Sequence, residues 1–188
     1  MEKRVELLKD IADIIFSIVG KELLPNDNKN WITTANLLPN NFISNIYPHK
    51  VKNYVGGIKI ILGDIIVKRI SPTYVNYIDV GWDRCYASNN LIIIRSKKVY
   101  DKYLAFILNE NIEKFSKKIS SGALMPTINR VDLENMIIPI CDQKVQKLVG
   151  DLWYQSLVKK NLKQKLAELE NKQEMILINS YLNKEENV

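Results

Sequence analysis

Apolar and polar positions change rhythm once along this 188-residue chain, near residue 142. Before that point, short apolar runs alternate with turn formers, a pattern of strands with helices between them. Val5 to Ala12 reads as a short helix, and Ile14 to Val19 as a strand that Gly20 ends. Trp31-Ile32-Thr33-Thr34 reads as a strand behind a polar loop, Pro25 to Asn30. Ile58 to Leu62 and Ile65 to Val67 flank Gly63-Asp64 as two strands about a tight turn. Tyr74 to Val80 and Leu91 to Ile94 follow as further strands. Tyr103, Leu104, Ile107 and Leu108 recur at helical spacing, so Tyr100 to Ile119 reads as helix, up to a break at Ser120-Ser121-Gly122. Met136 to Pro139 is a short closing strand.

From Asp142 to Leu182 the chain has no proline, and only Gly150 interrupts good helix formers. Apolar residues recur as Val145, Leu148, Leu152, Val158, Leu162, Leu166, Leu169 and Ile176. From Leu162 the steps alternate between four and three, which is a heptad seam. At about 1.5 Å per residue such a helix reaches roughly 60 Å, too long to bury its stripe on the preceding domain alone. It calls for another helix, unless it folds back on its own domain. Gln155, Lys159 and Gln173 fall on seam positions, where polar groups fix register and partner. The expected fold class is α+β: a mixed, strand-rich domain over 1–141, one long helix over 142–183, and a tail over 184–188.

Composition removes several function classes. A hydrophobic content of 46% is enough for a core. No apolar run approaches the roughly 20 residues of a membrane span; Lys9, Asp10 and Asp13 interrupt the longest candidate, Leu7 to Val19. A cytoplasmic protein without a membrane partner is expected. Cys85 and Cys141 form neither a disulfide framework nor a zinc spacing, and His49 is the single histidine, so no metal site is expected. The glycines are too dispersed for a phosphate-binding loop, and no Gly-x-Ser-x-Gly elbow occurs. Asp151 and Glu170-Asn171-Lys172 form a nuclease-like match, but on one helix they would stand roughly 28 Å apart. The expectation is a non-enzyme without a cofactor.

The net charge of +6 is unevenly placed. Between residues 28 and 78, Lys29, Lys50, Lys52, Lys59, Lys68 and Arg69 face a single acid, Asp64. Trp31, Phe42, Tyr47, Tyr54, Tyr74 and Tyr77 are interleaved with them. That combination suits phosphate contact and base reading, as it also suits a solvated surface over core aromatics.

Four stretches in this order resemble the specificity (S) subunits of Type I restriction–modification systems, and one half of such a subunit in particular. Leu8 to Ile14 is similar to the family's opening segment, and Trp31 to Leu37 to the strand after it. Leu62 to Arg69 resembles its glycine–aspartate strand. Ser121-Gly122 through Pro126-Thr127-Ile128, Asp132-Leu133, Ile137-Ile138-Pro139 and Gln143 resembles the junction before its long helix. There are departures: Asp142-Gln143 stands where Glu-Gln is usual, which keeps a good N-cap. Ile70-Ser71-Pro72 replaces a common glycine. The family typically carries two recognition domains and two helices; this chain has one of each.

The resemblance implies a target recognition domain that binds double-stranded DNA. Its helix would dock methyltransferase subunits, together with the restriction subunit. Since a full subunit pairs two such helices antiparallel, the single helix here is expected to pair with a second copy, the competing outcome being another S-type chain. Recognition residues vary within the family, so the candidates are chosen on physical grounds: Lys29, Asn30, Lys50, Lys52, Lys68, Arg69, Tyr74, Asn76 and Lys97. Ser88-Asn89-Asn90 suits either adenine reading or a plain turn, while Gly122 and Pro126 suit backbone geometry. For the helix interface the candidates are Leu152, Val158, Leu162, Leu166, Leu169 and Ile176. The competing function is an interaction module that captures the same partners without specific DNA binding.

Overall fold

The computed structural model describes residues 4–21, 30–37, 49–50, 54–81, 84–119 and 127–185. It divides into two compact units, Met1–Trp153 and Tyr154–Val188. The first opens with strand β1 (Arg4–Leu7), the single turn α1 (Leu8–Ile11) and strand β2 (Ala12–Phe16). Short strands follow as β3 (Val19–Lys21), β4 (Asn30–Ile32), β5 (His49–Lys50), β6 (Tyr54–Gly56) and β7 (Ile58–Lys59). Next come β8 (Ile65–Lys68), β9 (Val75–Tyr77), β10 (Cys85–Ala87) and β11 (Leu91–Ser96). Helices α2 (Asp101–Ile119) and α3 (Arg130–Glu134), strand β12 (Ile137–Ile140) and helix α4 (Gln143–Glu185) complete the order. The architecture is α+β, a strand-rich domain followed by a long C-terminal helix.

Where a helix was expected over Val5 to Ala12, two strands flank one turn. Arg4–Leu7 pairs antiparallel with Ile137–Ile140, a partner more than a hundred residues away that local periodicity cannot register. The centre of the first unit is an antiparallel sheet in the order β2-β11-β8-β9. A second sheet, β5-β4-β10-β7, shares its core: Ile66, Leu91 and Ile93 cluster with Ile32, Ile60, Ile78, Cys85 and Ala87. Alternation along a strand sends Ile65, Val67, Ile92 and Ile94 to the other face, where α2 packs on β9 and β11. Both faces of β8 and β11 are therefore dry, which is why their sequences read as unbroken apolar runs. Burial pushes the Cys85 thiol up to about 12, so it packs as a small apolar side chain.

Gly63-Asp64 has a specific task. Gly63 sits at φ +85 in the left-handed region that favours glycine, and an added Cβ there would stand 3.0 Å from Asp101 Oδ2. The turn sinks the Asp64 carboxylate to 1% exposure. There it accepts from Arg95 Nε at 2.7 Å and Arg95 Nη2 at 3.1 Å, and from the Ile61 amide at 2.9 Å. Arg95 also donates to the Lys59 carbonyl at 2.6 Å, so one guanidinium joins β7, the turn and β11. The bond to Asp64 raises the Arg95 pKa above its ordinary value.

The first turns of α4 belong to the first unit. Asp142 caps the helix by accepting from the Lys144 amide at 2.8 Å, as expected. Gln146, buried, accepts from the Tyr100 amide at 3.0 Å and donates to the Cys141 carbonyl at 2.8 Å. Gly150 lets the helix backbone close on α2: a Cβ there would stand 2.6 Å from the Tyr103 nitrogen. Asp151 accepts from Tyr100 Oη at 2.8 Å and Lys102 Nζ at 3.2 Å, and Trp153 lies tilted against Phe106 at 6.5 Å. Among the described residues, no helix is long and apolar enough to cross a membrane.

Two outcomes follow from these contacts. Arg95→Met leaves the Asp64 charge buried and unmatched, and should lower unfolding stability by about 3 kcal/mol in a urea titration; an unchanged midpoint would remove the pair from the list of stabilising contacts. The second concerns acid. The bond from Tyr100, and after it that from Lys102, holds the Asp151 carboxyl below its ordinary value of 3.8. A depressed carboxylate contributes stability that is fully present above its unfolded value and is lost as pH falls through the folded one. The wild-type melting temperature should therefore drop more steeply below pH about 4 than that of Asp151→Asn. Parallel curves would rule out this linkage.

Candidate nucleic-acid interface

One end of the central sheet carries several of the expected residues. The register places Phe16 opposite Ile92 and Lys68 opposite Leu91, so β2 and β8 end together where β11 begins. Lys68 Nζ lies 4.9 Å from the centroid of the Tyr74 ring. Arg69, next along the chain, donates from Nε to the Ile128 carbonyl at 2.9 Å, and its guanidinium carbon lies 5.5 Å from the Phe16 ring centroid. Its backbone amide donates to the Asn90 carbonyl at 2.9 Å. Ser88-Asn89-Asn90 is accordingly a turn, with Asn90 at φ 67, and it holds Arg69 in place. Lys68, Arg69 and Tyr74 are half-buried, with stems fixed by packing and polar ends at the rim.

Other candidates stand elsewhere. Asn76 is fully buried in β9, so the expected base contact by Asn76 is corrected: an amide inside the domain cannot reach a groove edge. Lys97 follows β11 at the opposite end of the sheet and pairs with Asp13. Six strand residues, roughly 20 Å, separate it from the Lys68 end. Asn30 lies opposite Lys50 on the second sheet, and its amide donates to the Arg84 carbonyl at 2.9 Å. Lys29, Lys52, Gly122, Pro126 and the side chain of Lys50 lie outside the described residues. Among the interleaved aromatics, Trp31 and Tyr77 are core, and Tyr77 donates to Asp101 at 2.7 Å.

Arg130 was not among the candidates. It opens α3 behind the Asn129 cap, and its guanidinium carbon lies 4.8 Å from the centroid of the same Phe16 ring. Its local sequence, Asn129 to Glu134, holds no other base and two acids, Asp132 and Glu134, so no basic cluster flags it.

The second unit holds the remaining candidates. Leu162, Leu166, Leu169 and Ile176 are 56–70% exposed, and Val158 is half-buried. Leu152, at the end of the first unit, is also exposed. Tyr154, Val158, Leu162 and Leu166 line a shallow groove of about 500 Å³ on the helix. Met175, Leu177, Ile178 and Tyr181 widen the exposed apolar surface.

Residues 3–171 match the family described as Type I restriction modification DNA specificity domain. The chain belongs to that family. A search of curated proteins found no match. Among solved structures, this specificity-domain chain is similar to one from a study of complex assembly and conformational transition of the type I R-M system, with TM-score 0.59 and 17% identity. It also resembles the HsdS subunit from Thermoanaerobacter tengcongensis, at TM-score 0.55 and 17% identity. A third is the Type-I restriction-modification S subunit from M. genitalium, at TM-score 0.53 and 14% identity. The alignments cover 90%, 86% and 87% of this chain and 42%, 39% and 40% of the others, so it spans about two-fifths of their length. At these identities the likeness is one of fold.

Proposed function

We propose that this specificity-domain chain reads one half of a bipartite DNA site and scaffolds methyltransferase subunits, and the restriction subunit with them, through α4. The recognition domain is residues 1–141, and the helix of 142–183 is its docking element. Two copies pair through α4, placing two recognition domains on a palindromic interrupted site. The observation that carries this reading is the apolar seam of α4, exposed from Leu162 to Ile176. Fully burying each such side chain contributes about 1.5–3 kcal/mol, offset in part by ordering and association costs.

A second feature supports partners besides the copy. Residues 175–178 are Met-Ile-Leu-Ile, all exposed, and successive helical positions point about 100° apart. One partner helix covers a single stripe, so the remaining apolar side chains call for a further surface. The basic rim at Lys68 and Arg69 supports DNA contact, and it is absent from the competing capture-only reading.

Light scattering tests the pairing. At micromolar concentration the wild type should be a dimer, and Leu162→Asp with Leu169→Asp a monomer. A monomeric wild type that the substitutions leave unchanged would end the self-pairing reading. Catalysis is tested with labelled S-adenosylmethionine and DNA: the chain alone should transfer no methyl group and should need methyltransferase subunits for labelling. Methyl transfer by the chain on its own contradicts the proposal.

A further inference from the structure

Arg69 and Arg130 come from segments sixty residues apart, yet both guanidiniums are held around one ring. Their carbon atoms lie 5.5 and 4.8 Å from the Phe16 centroid. Each is also tied to the backbone: Arg69 Nε donates to the Ile128 carbonyl at 2.9 Å, and Arg130 Nη1 to the Ile14 carbonyl at 3.1 Å. An isolated bridge between Ile70 and Thr127 brings the two segments together just beside these bonds.

Two like charges gathered at a sheet end repel each other, and the quadrupole of one ring offsets this only in part. The only carboxylate bonded to either is Glu134, at 3.3 Å from Arg130, in an exposed pair among the described residues. One nitrogen of each fork is spent on a carbonyl, which fixes the plane and leaves the other nitrogens to meet a ligand. Planar, pre-oriented guanidiniums are matched by a tetrahedral anion with several acceptor oxygens. A third cation, Lys68, emerges next to Arg69 on the same rim.

We infer that Arg69 and Arg130, set about Phe16, form a clamp for a backbone phosphodiester of duplex DNA. It positions the duplex on the rim of the central sheet and carries no sequence information itself. Phe16 acts as a positioning residue, since it touches the guanidiniums and not the phosphate. The inference rests on the DNA-reading function proposed above and names a phosphate contact within it. Sequence would be read by neighbouring groups that the clamp holds in register.

The test uses the full chain and a fluorescently labelled duplex of mixed sequence, with affinity measured by anisotropy across a salt series. Each lost phosphate contact should lower the slope of log affinity against log salt by about 0.9, and the affinity ratio between 50 and 200 mM salt by about threefold. Arg69→Gln and Arg130→Gln should each show that change, and the double variant about twice it. Arg130→Lys, which keeps the charge and loses the fork, should retain the slope and bind several-fold more weakly. Melting curves identify any variant that fails to fold, and Arg130→Lys then carries the comparison. Lys144→Gln with Lys147→Gln, near the root of α4, should leave the slope unchanged. Duplex binding by the wild type with unaltered slopes in the arginine variants overturns the clamp alone. Wild-type affinity in Arg130→Lys also overturns it, because the effect is then one of net charge and not of the guanidinium fork. A wild type without salt-dependent duplex binding overturns the DNA-reading function as well.

Discussion

The Asp64–Arg95 pair is the constraint on which the first unit depends. A carboxylate with 1% exposure needs its charge matched, and Arg95 does this with two nitrogens while a third bond holds the Lys59 carbonyl. The pair thereby fixes where β7 ends, how the Gly63 turn closes and where β8 begins. Because β8 is only four residues long, the same anchor determines where Lys68 and Arg69 emerge at its far end. A buried charge pair sets the position of rim charges about a strand's length away.

The two ends of the central sheet differ in chemistry. At one end, Phe16, Lys68, Arg69 and the Asn90 turn form a cationic rim with aromatic platforms. At the other, Ser96 to Asp101 meets the first turns of α4 across a groove of about 620 Å³ that Lys144 and Lys147 also line. Gln146 and Gly150 fasten that root to the domain, one by satisfying two backbone groups and the other by allowing close backbone approach. The rim and the root of α4 thus belong to one folded unit and share no residues.

Polar residues break the apolar stripe of α4. Gln155, Lys159 and Gln173 interrupt a stripe that would otherwise favour any apolar helix. The flanking charges are partly ordered too: Lys159, Lys160, Lys163 and Lys165 precede Glu168, Glu170 and Glu174, with Lys172 among the acids. A helix basic in one half and acidic in the next is complemented by an identical helix running the other way, since each basic half then meets an acidic one.

Much of this was legible in the residues alone. The heptad steps from Leu162, the Asp142 cap and the unbroken apolar runs of β8 and β11 are local signals, and they placed the long helix and the buried sheet. Glycine beside aspartate at 63–64 likewise marked its turn. Periodicity failed at Val5 to Ala12, because pairing with Ile137–Ile140 is a contact across the whole domain. Charge reading failed at Asn76, because burial is set by strand register, and register also places Lys97 at the other end of the sheet from Lys68. Arg130 stayed hidden for the same reason: what brings it to Arg69 is a shared ring on a distant strand. Local chemistry determined which elements this chain forms, whereas only the tertiary structure decided which charges stand together, since that depends on pairings that no short window contains.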